Sequence, residues 1–155
     1  MKKHVIIMVG VPRSGKSTWC DKFVEKHGED KVKVLSYDTL RERLYGNKNN
    51  QGDFKVIKEV FDYALVKAMN DDDIEYILID NTNVKKKYRQ DLVEFIKSIG
   101  GCDCDIVFNE LKTSKILVYW RAIVSKFPLK VIRRMYKNYE KIDFDDLSSI
   151  FDIWW

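Results

Sequence analysis

The sequence contains little cysteine or histidine and no long apolar run. Its three cysteines, Cys20, Cys102 and Cys104, are an odd number in a chain large enough to bury its own core, which argues against a disulfide framework and favours a reducing, cytoplasmic compartment. The pair Cys102 and Cys104 has no second cysteine pair, and His4 and His27 lie far from it in sequence, so these residues make a poor zinc site. Because no segment approaches the roughly 18 consecutive apolar residues of a membrane span, we expect no membrane partner.

Proline and glycine are also scarce, at two and seven residues. The chain has no proline- or glycine-rich linker, no internal repeat and no low-complexity tract, so nothing marks an internal domain boundary. Hydrophobic residues make up 45% of the chain and charged residues 34%, a balance typical of globular rather than disordered proteins. We predict that residues 1–155 form a single domain.

Acidic residues are almost absent from one stretch, residues 112–141, which holds nine bases and one acid, Glu140. The net charge of the chain is +4, but residues 140–155 hold five acids and one base, so that this tail carries −4 and residues 1–139 carry +8. Such a basic cluster is typical of a surface that contacts a polyanion, although solvated lysine-rich helices have the same composition.

Apolar β-rich runs alternate with helical patterns along the chain. The pattern predicts strands at residues 5–9, 31–35, 76–79 and 103–108, and helices at about 16–27, 53–70, 85–99, 114–124 and 129–141. This alternation favours an α/β fold, with a parallel sheet sandwiched between helices. In such sheets the site lies at the carboxyl ends of the strands, where the polar clusters 10–18, 36–41 and 80–83 fall.

The segment after the first strand matches the pattern G-x-x-x-x-G-K-[ST] in full, and it lies between a strand and a helix, as this phosphate-binding loop requires. Its residues are Gly10, Val11, Pro12, Arg13, Ser14, Gly15, Lys16 and Ser17. Backbone N–H groups of such a loop surround the phosphates of a nucleotide such as ATP. Lys16 is placed to reach the β- and γ-phosphates, Ser17 to ligate Mg²⁺, and Thr18 to contact the α-phosphate.

A carboxylate and an arginine follow the second strand. If the segment after Asp38 is helical, the spacing to Arg41 puts both side chains on one helix face. Asp38 is then a candidate to take a proton from an attacking hydroxyl, and Arg41 to bind an anionic acceptor. A second interpretation is that Ser36-Tyr37-Asp38 only caps a helix and that Arg41 is a surface residue.

Four polar residues follow the third strand, namely Asp80, Asn81, Thr82 and Asn83. An acid after three hydrophobic residues is typical of a Walker B site, which makes Asp80 a second candidate Mg²⁺ ligand. Helix capping explains one of the four, and we predict a substrate-binding role for the group.

Phosphoryl transfer also needs cations over the transferring group, and small P-loop kinases supply them from a lid. Arg121 is the first candidate and Lys126 the second; the competing interpretation makes Arg121 a solvated helix residue.

From residue 5 to about residue 139, the chain resembles the kinase domain of phage polynucleotide 5′-kinases, within the P-loop kinases. The resemblance lies in four places: Gly15-Lys16-Ser17-Thr18-Trp19, the pair Asp38 and Arg41, the pair Thr82-Asn83, and Arg121 followed by Pro128 and the residues 131–137. Two departures are that Asn81 stands where the family has an acid, and that the spacing from the lid arginine to the proline differs by about one residue.

The resemblance implies a P-loop kinase fold with a helical lid at about residues 112–127. It implies ATP and Mg²⁺ as cofactors, and as partners the 5′-hydroxyl ends of DNA or RNA, with a role in nucleic-acid repair. It casts Asp38 as the general base and Arg41 as the ligand of the acceptor phosphate. The 3′-phosphatase motif Asp-x-Asp-Gly-Thr of the bifunctional enzymes is absent, so the chain is expected to be a kinase only.

Two other functions stay open. One is a kinase of nucleosides or other small molecules on the same scaffold. The other is a nucleotide-gated interaction module without turnover, which docks a partner through the acidic, aromatic residues 144–155. The competing interpretation folds the end of this tail back onto the core, and a homo-oligomer is also left open.

Overall fold

The structure, a computed structural model, describes residues 2–48, 52–100 and 103–151. Cys102 and the last four residues of the aromatic tail, both discussed above, lie outside the described residues.

The described residues form a four-stranded sheet in the order β2-β3-β1-β4. The strands are β1 (Lys3–Val9), β2 (Val32–Leu35), β3 (Tyr76–Ile79) and β4 (Cys104–Glu110). All neighbours are parallel, and Ile7 of β1 lies opposite Ile79 of β3 and Phe108 of β4. The carboxyl ends of the four strands therefore meet at one edge of the sheet, as the alternation of strands and helices predicts.

Seven helices connect and cover these strands in the described part of the chain. They are α1 (Lys16–His27), α2 (Tyr37–Tyr45), α3 (Phe54–Met69), α4 (Lys86–Ser98), α5 (Lys115–Val124), α6 (Leu129–Lys137) and α7 (Phe144–Phe151). Alternate residues of β1 enter two different cores: Val5 and Ile7 pack with α3 and α4, whereas Met8 packs with Cys20 of α1. The sheet thus lies between two helical layers, which confirms the predicted α/β fold.

Two elements end two or more residues away from their predicted C-terminal bounds. Helix α6 ends at Lys137 rather than near residue 141, because the chain turns back toward the loop that follows β3. There the N–H of Glu140 donates to the Val84 carbonyl at 2.8 Å, and the Tyr139 hydroxyl donates to the Glu110 carboxylate at 2.7 Å. Strand β4 runs on to Glu110, which pairs with Val9 at the end of β1.

The acidic tail contains a helix that the sequence analysis did not predict, α7. Its Asp146 is fully buried against the equally buried Arg89 of α4, whose Nε and Nη2 donate to the carboxylate at 3.1 and 3.0 Å. Lys86, one turn earlier in α4, donates to Asp143 at 2.6 Å and to Asp145 at 2.9 Å. Three of the five tail acids are therefore paired with α4.

Within the described residues, no helix combines the length and the apolar character that a membrane crossing requires.

Candidate active site

The glycine-rich loop joins β1 to α1 at the centre of the sheet edge. The Gly10 N–H donates to the Thr82 carbonyl at 2.9 Å, which ties the start of the loop to the end of β3. Gly15 has a φ of 100° and directly precedes α1, in a left-handed conformation that favours glycine. The loop thus turns sharply enough to bring its N–H groups and the positive end of α1 to one point, where an anion can bind.

Lys16 is buried at this point. Its Nζ donates to the Val11 carbonyl at 2.9 Å, within the loop itself. Burial lowers the pKa of Lys16 to about 8, and the nearby carboxylates of Asp80 and Asp38 oppose that shift. The side chain is therefore a desolvated cation, for which a charged oxygen would be a stronger acceptor than the Val11 carbonyl.

Ser17 and Asp80 come together although they are 63 residues apart. The Ser17 hydroxyl donates to Asp80 Oδ2 at 2.7 Å, and Asp80 Oδ1 is buried without a hydrogen-bond partner among the described residues. A hydroxyl beside an unsatisfied carboxylate oxygen is a hard-oxygen donor set, which Mg²⁺ prefers when phosphates and water complete its shell. These two residues fit the ion that the sequence analysis predicts for them.

Asp38 and Arg41 lie in α2, directly after β2. The helix cap is Ser36, whose Oγ accepts from the Thr39 N–H at 3.4 Å, so Asp38 is not needed as a cap. Arg41 Nη1 donates to Asp38 Oδ1 at 2.9 Å. The Asp38 side chain is 70% exposed, whereas that of Arg41 is 13% exposed and its buried Nε has no partner in the described part of the chain. The carboxylate is open to a substrate, and the arginine retains a free donor beside it.

The residues after β3 hold the two sides of the site together. Asn81 Oδ1 accepts from the Tyr37 N–H at 2.9 Å and so links this loop to α2. Asn83 is buried with a φ of 47°, and its Nδ2 donates to the Met8 carbonyl at 2.9 Å. The structure therefore places Asn83 against β1, in a supporting position, while Asp80 and Asn81 line the edge.

The segment predicted to form a lid contacts the opposite side of the loop. Arg121 Nη1 donates to the Arg13 carbonyl at 3.3 Å. Thr113 Oγ1 donates to the Ser14 carbonyl at 2.6 Å, a contact that no sequence motif signals. Lys126, the second candidate, is exposed in the turn after α5. Of the two candidates, Arg121 is thus the one whose contact with the loop the structure records.

The basic stretch, residues 112–141, includes α5, α6 and the segments next to them, and most of its cations are exposed. Eight of its nine cations are exposed, and none of them forms an ion pair with a described residue. They are Lys112, Lys115, Lys126, Lys130, Arg133, Arg134, Lys137 and Lys141. A polyanion can therefore approach these charges without displacing a carboxylate.

Comparison with known proteins relates this chain to one family, one curated relative and two solved structures. A family model described as an AAA domain matches residues 5–142. The L-seryl-tRNA(Sec) kinase of Methanococcus maripaludis is 29% identical over 140 residues, which cover 88% of this chain and 52% of that protein. The chain thus spans about half the length of this curated relative.

Solved structures share the architecture at lower identity. A fungal RNA kinase superposes with a TM-score of 0.68 at 13% identity, over 92% of this chain and 67% of that one. A gluconokinase from Sinorhizobium meliloti 1021 superposes with a TM-score of 0.55 at 18% identity, over 89% of this chain and 75% of that one. At these identities the likeness shows the fold alone.

Proposed function

Because this chain belongs to the AAA_33 family of AAA domains, we propose that it transfers the γ-phosphate of ATP to the 5′-hydroxyl end of a DNA or RNA strand. Family and sheet topology confirm the predicted P-loop kinase fold, and that fold supports the coarser part of the proposal, an ATP-using phosphotransferase domain. The acceptor and the roles of the individual residues belong to the proposal, as does the single kinase domain, residues 1–155 with a lid at 112–127.

The observation that carries the proposal is the pair Asp38 and Arg41 beside the nucleotide loop. An exposed carboxylate can accept a proton from an alcohol, and a shielded arginine with a free N–H can bind the phosphate next to that alcohol. The terminal nucleotide of a strand offers this combination, a 5′-hydroxyl followed by a phosphodiester.

The exposed cations of α5 and α6 favour a long anionic acceptor over a small one. Contacts between lysine or arginine and backbone phosphates are independent of base sequence, and they weaken as salt rises. The names of two similar proteins, a seryl-tRNA kinase and an RNA kinase, point in the same direction.

The proposed reaction is a single in-line displacement. Asp38 takes the proton of the 5′-hydroxyl as its oxygen forms a bond to the γ-phosphorus, and the bond from that phosphorus to the β–γ bridging oxygen breaks, so that ADP leaves. Lys16 and Arg121 neutralise the charge that develops on the phosphoryl oxygens. A Mg²⁺ ion held by Ser17 and Asp80 would supply further charge neutralisation at the phosphates.

A kinase of small molecules is the second candidate, and the shared fold of the gluconokinase supports it. The interaction module has less support, because two of the acids that it would use, Asp145 and Asp146, are already paired with α4.

A single assay separates these functions. Labelled γ-phosphate is offered with DNA and RNA oligonucleotides that carry a 5′-hydroxyl, with a nucleoside, and with gluconate. We expect transfer to the oligonucleotides, and a loss of about 10²- to 10⁴-fold in kcat for Asp38→Asn. Asp91→Asn, which removes an exposed carboxylate of α4, is the matched control and is expected to behave as wild type.

Equal transfer to the nucleoside would favour the small-molecule kinase. Nucleotide binding without transfer to any acceptor would favour the interaction module. A full rate for Asp38→Asn on oligonucleotides would show that the base is a different group.

A further inference from the structure

Three lid residues contact two consecutive residues of the nucleotide loop, Arg13 and Ser14. Thr113 donates to the carbonyl of Ser14 and Arg121 to the carbonyl of Arg13, as described above. The third contact runs the other way: the guanidinium of Arg13 lies 5.0 Å from the centre of the Phe127 ring, where a cation interacts favourably with an aromatic face. Arg13 is therefore the loop residue that uses both its backbone and its side chain on the lid.

The conformation of Arg13 is unusual for its residue type. Its φ is 67°, in the left-handed region that a residue with a Cβ adopts at a cost. Its Nε is buried and has no hydrogen-bond partner among the described residues. A glycine would meet neither cost, and this contrast motivates the search for a role of the arginine side chain.

We propose that Arg13 is a positioning residue for Arg121. The guanidinium of Arg13 holds Phe127, at the end of the lid, against the nucleotide loop, and this keeps Arg121 over the place where the γ-phosphate binds. When ATP arrives, Arg121 exchanges the Arg13 carbonyl for phosphate oxygens, which are stronger acceptors because they are charged. The contact between Arg13 and Phe127 persists through that exchange.

This inference rests on the proposed function only in giving Arg121 a role at the phosphate. A competing role for Arg13 is direct contact between its guanidinium and the triphosphate. The two roles differ in what Phe127 contributes: a positioning role makes Phe127 necessary, whereas a direct contact makes it dispensable.

The kinetic test uses Arg13→Gln, Phe127→Leu and their double variant. We expect each single change to lower kcat about two- to fivefold, the range that corresponds to one cation–π contact at a partly exposed site. The Kd for ATP should stay within about twofold of wild type, and the double variant should be no slower than either single variant. Phe127→Tyr keeps the ring and Arg13→Lys keeps the charge, and both should recover part of the rate.

A second measurement needs no acceptor and therefore stands even if the proposed acceptor is wrong. Trp120 lies in α5 and its side chain is exposed, so 5-fluorotryptophan labelling gives a ¹⁹F signal from the lid, assigned with Trp120→Phe. On binding a non-hydrolysable ATP analogue, the wild-type signal should move to one bound position. In the Arg13→Gln and Phe127→Leu variants, the ¹⁹F signal should lie between the free and bound positions, because the lid contacts the nucleotide loop for a smaller fraction of the time.

The proposal is overturned by an unchanged lid signal in both variants. It is also overturned if the rate losses in the double variant multiply, or if Arg13→Gln raises the Kd for ATP while Phe127→Leu has no effect. The last result would assign Arg13 to direct phosphate contact. Thermal melting of each variant, monitored by circular dichroism, verifies that the proteins compared are folded.

Discussion

Lys16 provides a sharp test of the site, because its charge is predicted to titrate near neutral pH. Burial lowers the pKa of this lysine to about 8 in the nucleotide-free protein. A bound triphosphate surrounds the ammonium with negative charge, which favours the protonated form and raises the pKa again. ATP should therefore bind with uptake of a proton whenever the pH lies near or above 8.

The magnitude follows from the fraction of Lys16 that is protonated before binding. With a pKa of about 8, that fraction falls from about nine-tenths at about pH 7 to about one-tenth at about pH 9. The affinity for ATP should therefore weaken about tenfold across this interval. At about pH 8, roughly half a proton should be taken up per ATP bound.

Isothermal titration in buffers of different ionisation enthalpy measures both the affinity and the proton uptake. Lys16→Arg is the matched control, because a guanidinium stays protonated throughout this range and should give weaker binding with a flat pH profile. A wild-type affinity that does not change between about pH 7 and about pH 9, or a Lys16→Arg profile with the same slope, would refute the assignment of the titration to Lys16.

The same pKa makes a prediction for the stability of the protein without nucleotide. The pKa is lower in the folded than in the unfolded state, so the unfolded chain binds more protons between about pH 8 and the ordinary lysine pKa of 10.5. The free energy of unfolding should therefore increase as pH rises through this window, so that the folded protein becomes more stable. At neutral pH the charge opposes folding, by at most about 3 kcal/mol.

Three further predictions concern groups around the site. Asp146→Asn leaves the buried Arg89 without its counter-charge and should lower the free energy of unfolding, measured by urea titration, by about 3 kcal/mol. A loss below about 1 kcal/mol would contradict the buried ion pair. Gly15→Ala, at a φ of 100°, should cost about 1–2 kcal/mol and weaken ATP binding measured by fluorescence, whereas wild-type affinity would mean that the loop tolerates a Cβ. Asp80→Asn should raise the Mg²⁺ concentration that gives half-maximal transfer by about tenfold or more, and an unchanged Mg²⁺ titration would remove Asp80 from the metal site.

Local signals in the sequence predicted the framework well. Helix α1 begins and ends where predicted, because Gly15 and Gly28 flank it and both adopt positive φ. Strand β3 also has its predicted bounds, and the conditional prediction of a helix after Asp38 is confirmed as α2. The meeting of Ser17 with Asp80 follows from the topology, because strand ends of a parallel sheet share one edge.

The features that the sequence did not predict depend on contacts between residues that are distant in sequence. Nothing near Asp146 indicates that it is buried, since its partner Arg89 lies 57 residues away and both look like surface residues in their own segments. Composition alone therefore described the tail as acidic and left open whether it folds back onto the core. Thr113 and Phe127 likewise belong to no sequence motif, and only the structure shows that they contact the nucleotide loop.

In the strand order β2-β3-β1-β4, the groups proposed to bind the acceptor and the segment that contacts the nucleotide loop lie on opposite sides of β1. On one side of β1, β2 leads into Asp38 and Arg41, which are proposed to bind the acceptor, and β3 ends at Asp80, which is proposed to bind Mg²⁺ with Ser17. On the other side, β4 leads into the segment that contacts the nucleotide loop. Under the proposed function, changes in the chain after β2 should therefore alter which alcohol is phosphorylated more than they alter how ATP is bound. This independence offers a physical reason why one scaffold can serve acceptors as different as an RNA strand and a sugar acid, and it makes residues 36–48 the segment to exchange in redesigning the acceptor.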